Sequence, residues 1–372
     1  MSARNAGNEV TSNAQTRWSE FTHSLEILGL LDFLTSFSPQ FIGTQNWERG
    51  LANAPPELQS AIRFLCLGSH VPKSNLQSIC SLDLLVSSGI AEEDGLNLVL
   101  PDLILVFIGN AWIWVQRQRP NPSIYFGHDT YALMARLRVR TPARFLDLCA
   151  GPGTQGLWAA QHGATVVSVE RNFRPARIAR LNVALNGLDS QMTVVEGDLY
   201  SALAADTPTF DVIAANPPLL PFPNEEFYPF VGHGGDDGLA ITWRILEGLT
   251  MQLSRDGVAI IIGTCISDGL LPCSASTMAE VASRNRLDIR LSIVGHAPFT
   301  RGEPMFQGLV TTAALSGSSS GADKISDALE QIVARVNGSH LCYFSMSARH
   351  GVGRFSVLDL SGESTSAGWF VL

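Results

Sequence analysis

A doubly wound, mostly parallel α/β sheet preceded by a helical domain is the fold that this 372-residue sequence predicts. Three observations carry that expectation. Between residues 144 and 218, four short apolar runs have the composition of buried strands. Each ends in a glycine-rich or polar turn, and helical patterns separate the first three. A set of helical segments followed by apolar strands precedes them, and the length exceeds one average domain.

Taken in order, residues 1–17 are Ser-, Asn- and Thr-rich with almost no apolar content and are expected to form a disordered tail. Ile27, Leu30, Leu31 and Leu34 then recur at helical spacing, predicting an amphipathic helix that ends before Pro39. A helix over 57–67 starts behind Pro55-Pro56, and shorter helices are expected at 74–80 and 82–88. The run 96–115 is interrupted by Pro101-Asp102 and Gly109-Asn110, so it reads as two or three buried strands and not as a membrane span. Helices followed by a hairpin predict a winged-helix-like cap domain over 18–116. Between Pro56 and Gly95 the basic residues are Arg63 and Lys73, against Glu57, Asp83, Glu92, Glu93 and Asp94, which disfavours nucleic acid. A net charge of −9 points the same way. Six cysteines without C-x-x-C spacing and a polar N-terminus predict a reduced, cytoplasmic protein with no metal site. A homo-oligomer is compatible with all of this.

A polar linker at 116–122 opens the second domain, 123–315. Within 125–131, Tyr125, His128 and Asp129 are substrate candidates, although Asp129 also suits a helix N-cap. The run beginning at Arg144 breaks into Gly151-Pro-Gly-Thr-Gln-Gly156 and continues as a helix, so backbone N–H groups would face a polar ligand. The next run ends in Glu170, placed to accept the hydroxyls of a ribose. A third delivers Asp198, an acceptor for an exocyclic amine. The fourth ends in Asn216-Pro-Pro218, where Asn216 and the Pro217 carbonyl can converge as acceptors on one N–H group.

The glycine turn alone fits nicotinamide enzymes equally well. The ordered set Asp147-x-Cys-x-Gly-x-Gly153, Glu170, Asp198 and Asn216-Pro-Pro218 resembles the class I S-adenosylmethionine (SAM) methyltransferases, over roughly residues 125–262. The Asn-Pro-Pro signature is similar to the nitrogen-methylating branch, which includes release-factor glutamine and rRNA methyltransferases of the small-domain type. The resemblance implies a Rossmann-like fold and SAM as cofactor, with S-adenosylhomocysteine as product. It implies cofactor contacts from Asp147, Cys149, Ala150, Gly151, Gly153, Gln155, Glu170, Arg171, Asp198, Leu199 and Asn216, with Asn216 and Pro217 catalytic.

Pro218 is a further substrate candidate, and the long Pro/Gly loop that follows it carries Leu219, Phe222, Phe227, Tyr228, His233 and Asp237 as others; Asp237 alternatively caps the next helix. Relatives in that branch place an aromatic residue directly after Asn-Pro-Pro, where this chain has Leu219. The expected acceptor is therefore a small molecule or amino-acid-like compound, ahead of an rRNA or tRNA base or a protein glutamine. Two other classes are an NAD-dependent oxidoreductase, which would leave Asn216 without a role, and a SAM-sensing DNA-binding regulator. Downstream, 277–283 is expected to be helical and 287–294 and 308–314 to be strands. Residues 316–372 should add a helix and strands that complete the sheet or append to it.

Overall fold

The computed structural model describes residues 2–36, 47–117, 119, 122–222, 231–316, 320–363 and 369. Its N-terminal part holds the helices α1 (Ser2–Ile27), α2 (Leu30–Thr35), α3 (Trp47–Leu51), α4 (Pro56–Ala61) and α5 (Asp83–Ser87). Two small sheets accompany them. Strands β1 (Val71–Pro72), β2 (Glu92–Asp94) and β3 (Asn97–Val99) form an antiparallel sheet in the order β1-β3-β2, and β4 (Leu103–Ile108) pairs with β5 (Ala111–Gln116) as a hairpin.

Helix α1 begins at Ser2, within the segment expected to be a disordered tail. One N-terminal expectation needs correction. The stripe Ile27, Leu30, Leu31, Leu34 is not one helix face. Gly29 adopts φ 81°, which ends α1 and starts α2, so Ile27 is exposed while Leu30 and Leu34 are buried. The face of α1 that packs is carried by Trp18, Phe21 and Leu25, at i, i+3 and i+7.

The second part contains α6 (His128–Arg136), β6 (Arg144–Leu148), α7 (Thr154–Gln161), β7 (Thr165–Glu170), α8 (Phe173–Leu185), β8 (Met192–Glu196), β9 (Phe210–Ala215), α9 (Ala240–Gln252), β10 (Leu253–Ser267), α10 (Ala275–Asn285), β11 (Leu287–Pro298), α11 (Pro304–Leu315), α12 (Ala322–Arg335), β12 (His340–His350) and β13 (Phe355–Asp359). The eight strands from β6 onward make one sheet in the order β13-β11-β12-β10-β9-β6-β7-β8. Every pairing is parallel except those of β12, which runs antiparallel between β10 and β11. The strand order reverses between β6 and β9, and that switch point opens a crevice at their carboxyl ends.

Residues 308–314 are helical and not a strand. Pro304 stands in the first turn of α11, and Phe306, Leu309, Val310 and Ala313 are buried at helical spacing. A short apolar run does not itself declare its period, so the strand reading fails there.

The sheet is covered on both faces. Phe145, Val212 and Ala214 join the N-terminal core with Trp114, Leu157 and Ile178, whereas Leu146, Leu148, Ile213 and Ala215 pack with α9 and α10. Asn182 of α8 and Asn186, the residue that caps its C-terminus, fix the hairpin in place. Asn182 Oδ1 accepts from the Trp114 N–H (2.8 Å) and its Nδ2 donates to the carbonyls of Trp114 and Pro152. Asn186 accepts from the Trp112 N–H (2.9 Å) and donates back to the Trp112 carbonyl.

Candidate active site

The glycine turn after β6 is built by its backbone. Cys149 takes φ 57°, Gly151 φ 55° and Gly153 φ 84°, a run of left-handed residues that doubles the chain back into α7. Gly156 is required for another reason. A Cβ there would stand 2.4 Å from Ser168 Oγ, 2.7 Å from Met192 Cε and 3.2 Å from Asp147 Oδ2. Gly156→Ala is therefore expected to cost about 1–3 kcal/mol by overpacking, read by denaturant unfolding.

Asp147 is buried under this turn. Its Oδ2 accepts from the Gly156 N–H (3.1 Å) and from Ser168 Oγ (3.2 Å). Burial pushes its carboxyl up to about 7, against those two hydrogen bonds and with a further push from Glu170. The sign of the consequence follows from the raised value. An unfolded Asp titrates near 3.9, so the native state holds the extra proton between about pH 4 and 7, and this stability is lost as pH rises through about 7. Asp147→Asn, whose amide oxygen can keep both hydrogen bonds, is expected to flatten the fall in melting temperature between about pH 5 and pH 8. An unchanged profile would show that Asp147 does not titrate there.

Glu170, at the end of β7, clamps the turn from the neighbouring strand. Its Oε2 accepts from the Gly151 N–H (2.9 Å) and its Oε1 from the Asn172 N–H (2.8 Å). Burial raises its pKa, and the backbone hydrogen bonds draw it back. Arg171 beside it is exposed. Asp198, after β8, is half-exposed and accepts from Arg244 of α9 at 2.7 Å, while Leu199 takes φ 49° and is buried. Ala150 is buried, and burial pushes the Cys149 thiol up, with Glu170 and Asp147 adding to it.

Asn216 directly follows β9, across the switch point from the glycine turn. Its side chain interacts with Asp129 at the start of α6, as does Tyr125; burial raises the Asp129 carboxyl and these groups pull it back. Oδ1 of Asn216 is then left buried, with no hydrogen-bond partner among the described residues. Pro217 is buried and Pro218 half-buried behind it. Leu219 is held by its carbonyl, which accepts from Thr264 Oγ1 at 2.5 Å, and Gly238 leaves room for this, since a Cβ there would lie 2.7 Å from both the Leu219 and Thr264 carbonyls.

The loop after Pro218 has a pinned stem. Leu220 N–H donates to the Gly232 carbonyl, Gly234 N–H to that of Leu220, and Phe222 N–H to that of Gly235. Two substrate candidates are corrected by this region. Phe222 is fully buried in an apolar cluster with Ile266, Phe299 and Phe306, so it offers no stacking face. Asp237 is committed to α9, accepting from the Leu239 N–H (2.9 Å) and the Trp243 indole N–H (3.4 Å). His233 sits on the stem with a buried Nε2 that has no partner among the described residues, and His128 is exposed. Phe227 and Tyr228 lie outside the described residues.

Sequence reasoning missed Ser168, Asn182 and Arg244. An asparagine inside the helix, amid Leu181, Val183, Ala184 and Leu185, was the available signal for Asn182. Ser168 and Arg244 act through partners distant in sequence.

The turn is suited to an adenosyl amino acid on the chain's own terms. It presents the N-terminus of α7 with the Thr154 hydroxyl and the Gln155 amide nitrogen buried and without partners among the described residues. Comparison with known proteins agrees. Residues 126–264 match the family described as MTS, the methyltransferase small domain. The ribosomal protein uL3 glutamine methyltransferase of Bradyrhizobium diazoefficiens is 34% identical over 124 residues, 31% of this chain and 38% of that protein. The release factor glutamine methyltransferase of Deinococcus radiodurans is 31% identical over 175 residues, 46% of this chain and 61% of the relative. The 4-amino-L-phenylalanine/4-methylamino-L-phenylalanine methyltransferase of Streptomyces pristinaespiralis is 35% identical over 135 residues, covering 34% of this chain and 44% of that one. The alignments thus span roughly two fifths to three fifths of these relatives' length. The chain therefore carries a class I SAM-dependent methyltransferase domain of the methyltransferase small family, and SAM is its cofactor.

Proposed function

We propose that the whole chain moves a methyl group from SAM to a nitrogen of a small, amino-acid-like acceptor. The observation that supports this most directly is the orphaned Oδ1 of Asn216. A buried acceptor left without a partner carries a desolvation cost of about 1–3 kcal/mol, which an arriving N–H group would relieve.

Bound SAM supplies an electrophilic methyl carbon with a neutral leaving thioether, so the protein's task is mainly positioning. Glu170 would accept the ribose hydroxyls with the lone pairs that its backbone hydrogen bonds leave over, and Asp198 the adenine amine. Thr154 and Gln155 would meet the methionine end. Asn216 Oδ1 and the Pro217 carbonyl would hold the acceptor N–H groups, turning the nitrogen lone pair toward the methyl carbon and stabilising the positive charge that grows there. Asp129 and Tyr125 are positioning residues for Asn216. The N-terminal part, read as winged-helix-like, covers one face of the sheet.

A protein glutamine is the second reading, favoured by the names of two of the relatives. Titration calorimetry with SAM, S-adenosylhomocysteine and NADH, on the chain and on Asp198→Ala, tests the cofactor assignment. Micromolar binding of both adenosyl ligands, weakened in the variant, supports the reading; binding of NADH alone sinks it. Tritium transfer from methyl-labelled SAM to aminophenylalanine or to a glutamine peptide then separates the two acceptors.

A further inference from the structure

We infer that the acceptor carries an anionic group, a carboxylate or phosphate, which is received by a basic cavity between the N-terminal hairpin and the segment that leads to Asn216. This rests on the methyl-transfer reading and narrows its substrate class.

The cavity measures about 530 Å3, and its lining includes Arg117, Arg119, Ile124, Tyr125, His128 and Thr312. No carboxylate lines it among the described residues. In a chain of net charge −9, such a pocket is a local exception, which field focusing in a concave wall reinforces.

The two arginines of the cavity are held in different ways. Asp102, largely buried, accepts from Gln116 Nε2 (2.7 Å), pairs with Arg119 (3.3 Å) and also takes Arg174. One carboxylate thus serves two guanidinium groups. Arg117 has no carboxylate partner among the described residues; its Nη2 donates to the carbonyls of Gly68 and Leu100, and its Nε is buried without a partner. Two arginines, Arg117 and Arg119, therefore line a cavity that has no carboxylate among its described lining residues. A buried, unpartnered guanidinium N–H is an unmet donor of the kind that a carboxylate or phosphate oxygen fills.

Its position connects it with the chemistry. Gln116 Oε1 accepts the N–H groups of Ser123 (2.7 Å) and Ile124 (2.9 Å), which holds the linker against β5. Tyr125 lines the cavity and also interacts with Asp129, which interacts with Asn216. One side chain therefore separates the basic cavity from the group that steers the amide acceptor. An acceptor with its nitrogen at Asn216 would extend its other end past Tyr125 to the arginines.

The test uses three matched amines, 4-aminophenylacetate, its neutral isostere 4-aminophenylacetamide, and 4-aminobenzylphosphonate. Each is titrated calorimetrically into the full chain saturated with S-adenosylhomocysteine. The acid or the phosphonate is expected to bind at least about tenfold tighter than the amide, and which of the two wins identifies the anion. In Arg117→Gln/Arg119→Gln that preference should collapse, with amide and S-adenosylhomocysteine binding retained; Arg119→Gln alone, at a half-exposed position, should remove part of it. Equal binding of acid and amide, absence of binding by all three, or an undiminished preference in the double variant overturns the proposal. Failure of the underlying reading would look different, since the wild-type chain would then not bind S-adenosylhomocysteine at all.

Discussion

Asn216→Ala is expected to lower single-turnover methyl transfer by about 10³-fold while leaving S-adenosylhomocysteine binding nearly unchanged. The variant removes the amide oxygen that is buried without a partner and the group that Asp129 steers, but it leaves intact the glycine turn and both hydrogen bonds of Glu170. An effect confined to the chemical step is the signature of an interaction strengthened in the transition state. Asn216→Asp distinguishes the roles further, because a carboxylate beside Asp129 would resist ionisation and could rescue part of the rate only at higher pH. Transfer at the wild-type rate in Asn216→Ala would end the case for this residue.

Glu170→Ala should have the largest effect on cofactor affinity, weakening S-adenosylhomocysteine by on the order of 10²-fold, about 3 kcal/mol. Two effects combine. The ribose loses its acceptor, and the Gly151 and Asn172 N–H groups lose the carboxylate that holds the turn between β6 and β7. Glu170→Gln should fall between wild type and alanine, because its amide can accept from only one of those N–H groups. Titration calorimetry of the three proteins decides; wild-type affinity in Glu170→Ala would mean that the adenosyl moiety sits elsewhere.

What could be read from the sequence was chiefly local. The runs that became β6, β7, β8 and β9, with their terminal Asp147, Glu170, Asp198 and Asn216, declare themselves because buried parallel strands and glycine turns have strong compositions. Where packing decides, the sequence was mute. Phe222 looks like any aromatic residue in a loop, and only the cluster of Phe299 and Phe306 behind it makes it core. Residues 308–314 satisfy a strand pattern until Pro304 starts a helix before them. The insertion of β12 between β10 and β11 is a matter of tertiary order that no period records. Arg117 and Arg119 fall in or beside the linker, yet the cavity they line and the sharing of Asp102 between Arg119 and Arg174 appear only when the hairpin, the linker and α8 are brought together.

The pairing of Asn182 and Asn186 with the hairpin bears on how the molecule can be divided. Their amides finish the hydrogen-bonding edge of β5 as another strand would, so that edge is closed to foreign chains. The same Asn182 holds the Pro152 carbonyl inside the glycine turn. A fragment cut at the linker would keep every residue proposed to hold the cofactor but lose the backbone that orients this asparagine, and it would bare the apolar side of Phe145, Leu157 and Ile178 to water. The smallest working piece is therefore expected to be larger than the segment 126–264, and attempts to graft that segment onto other partners should carry the hairpin with it.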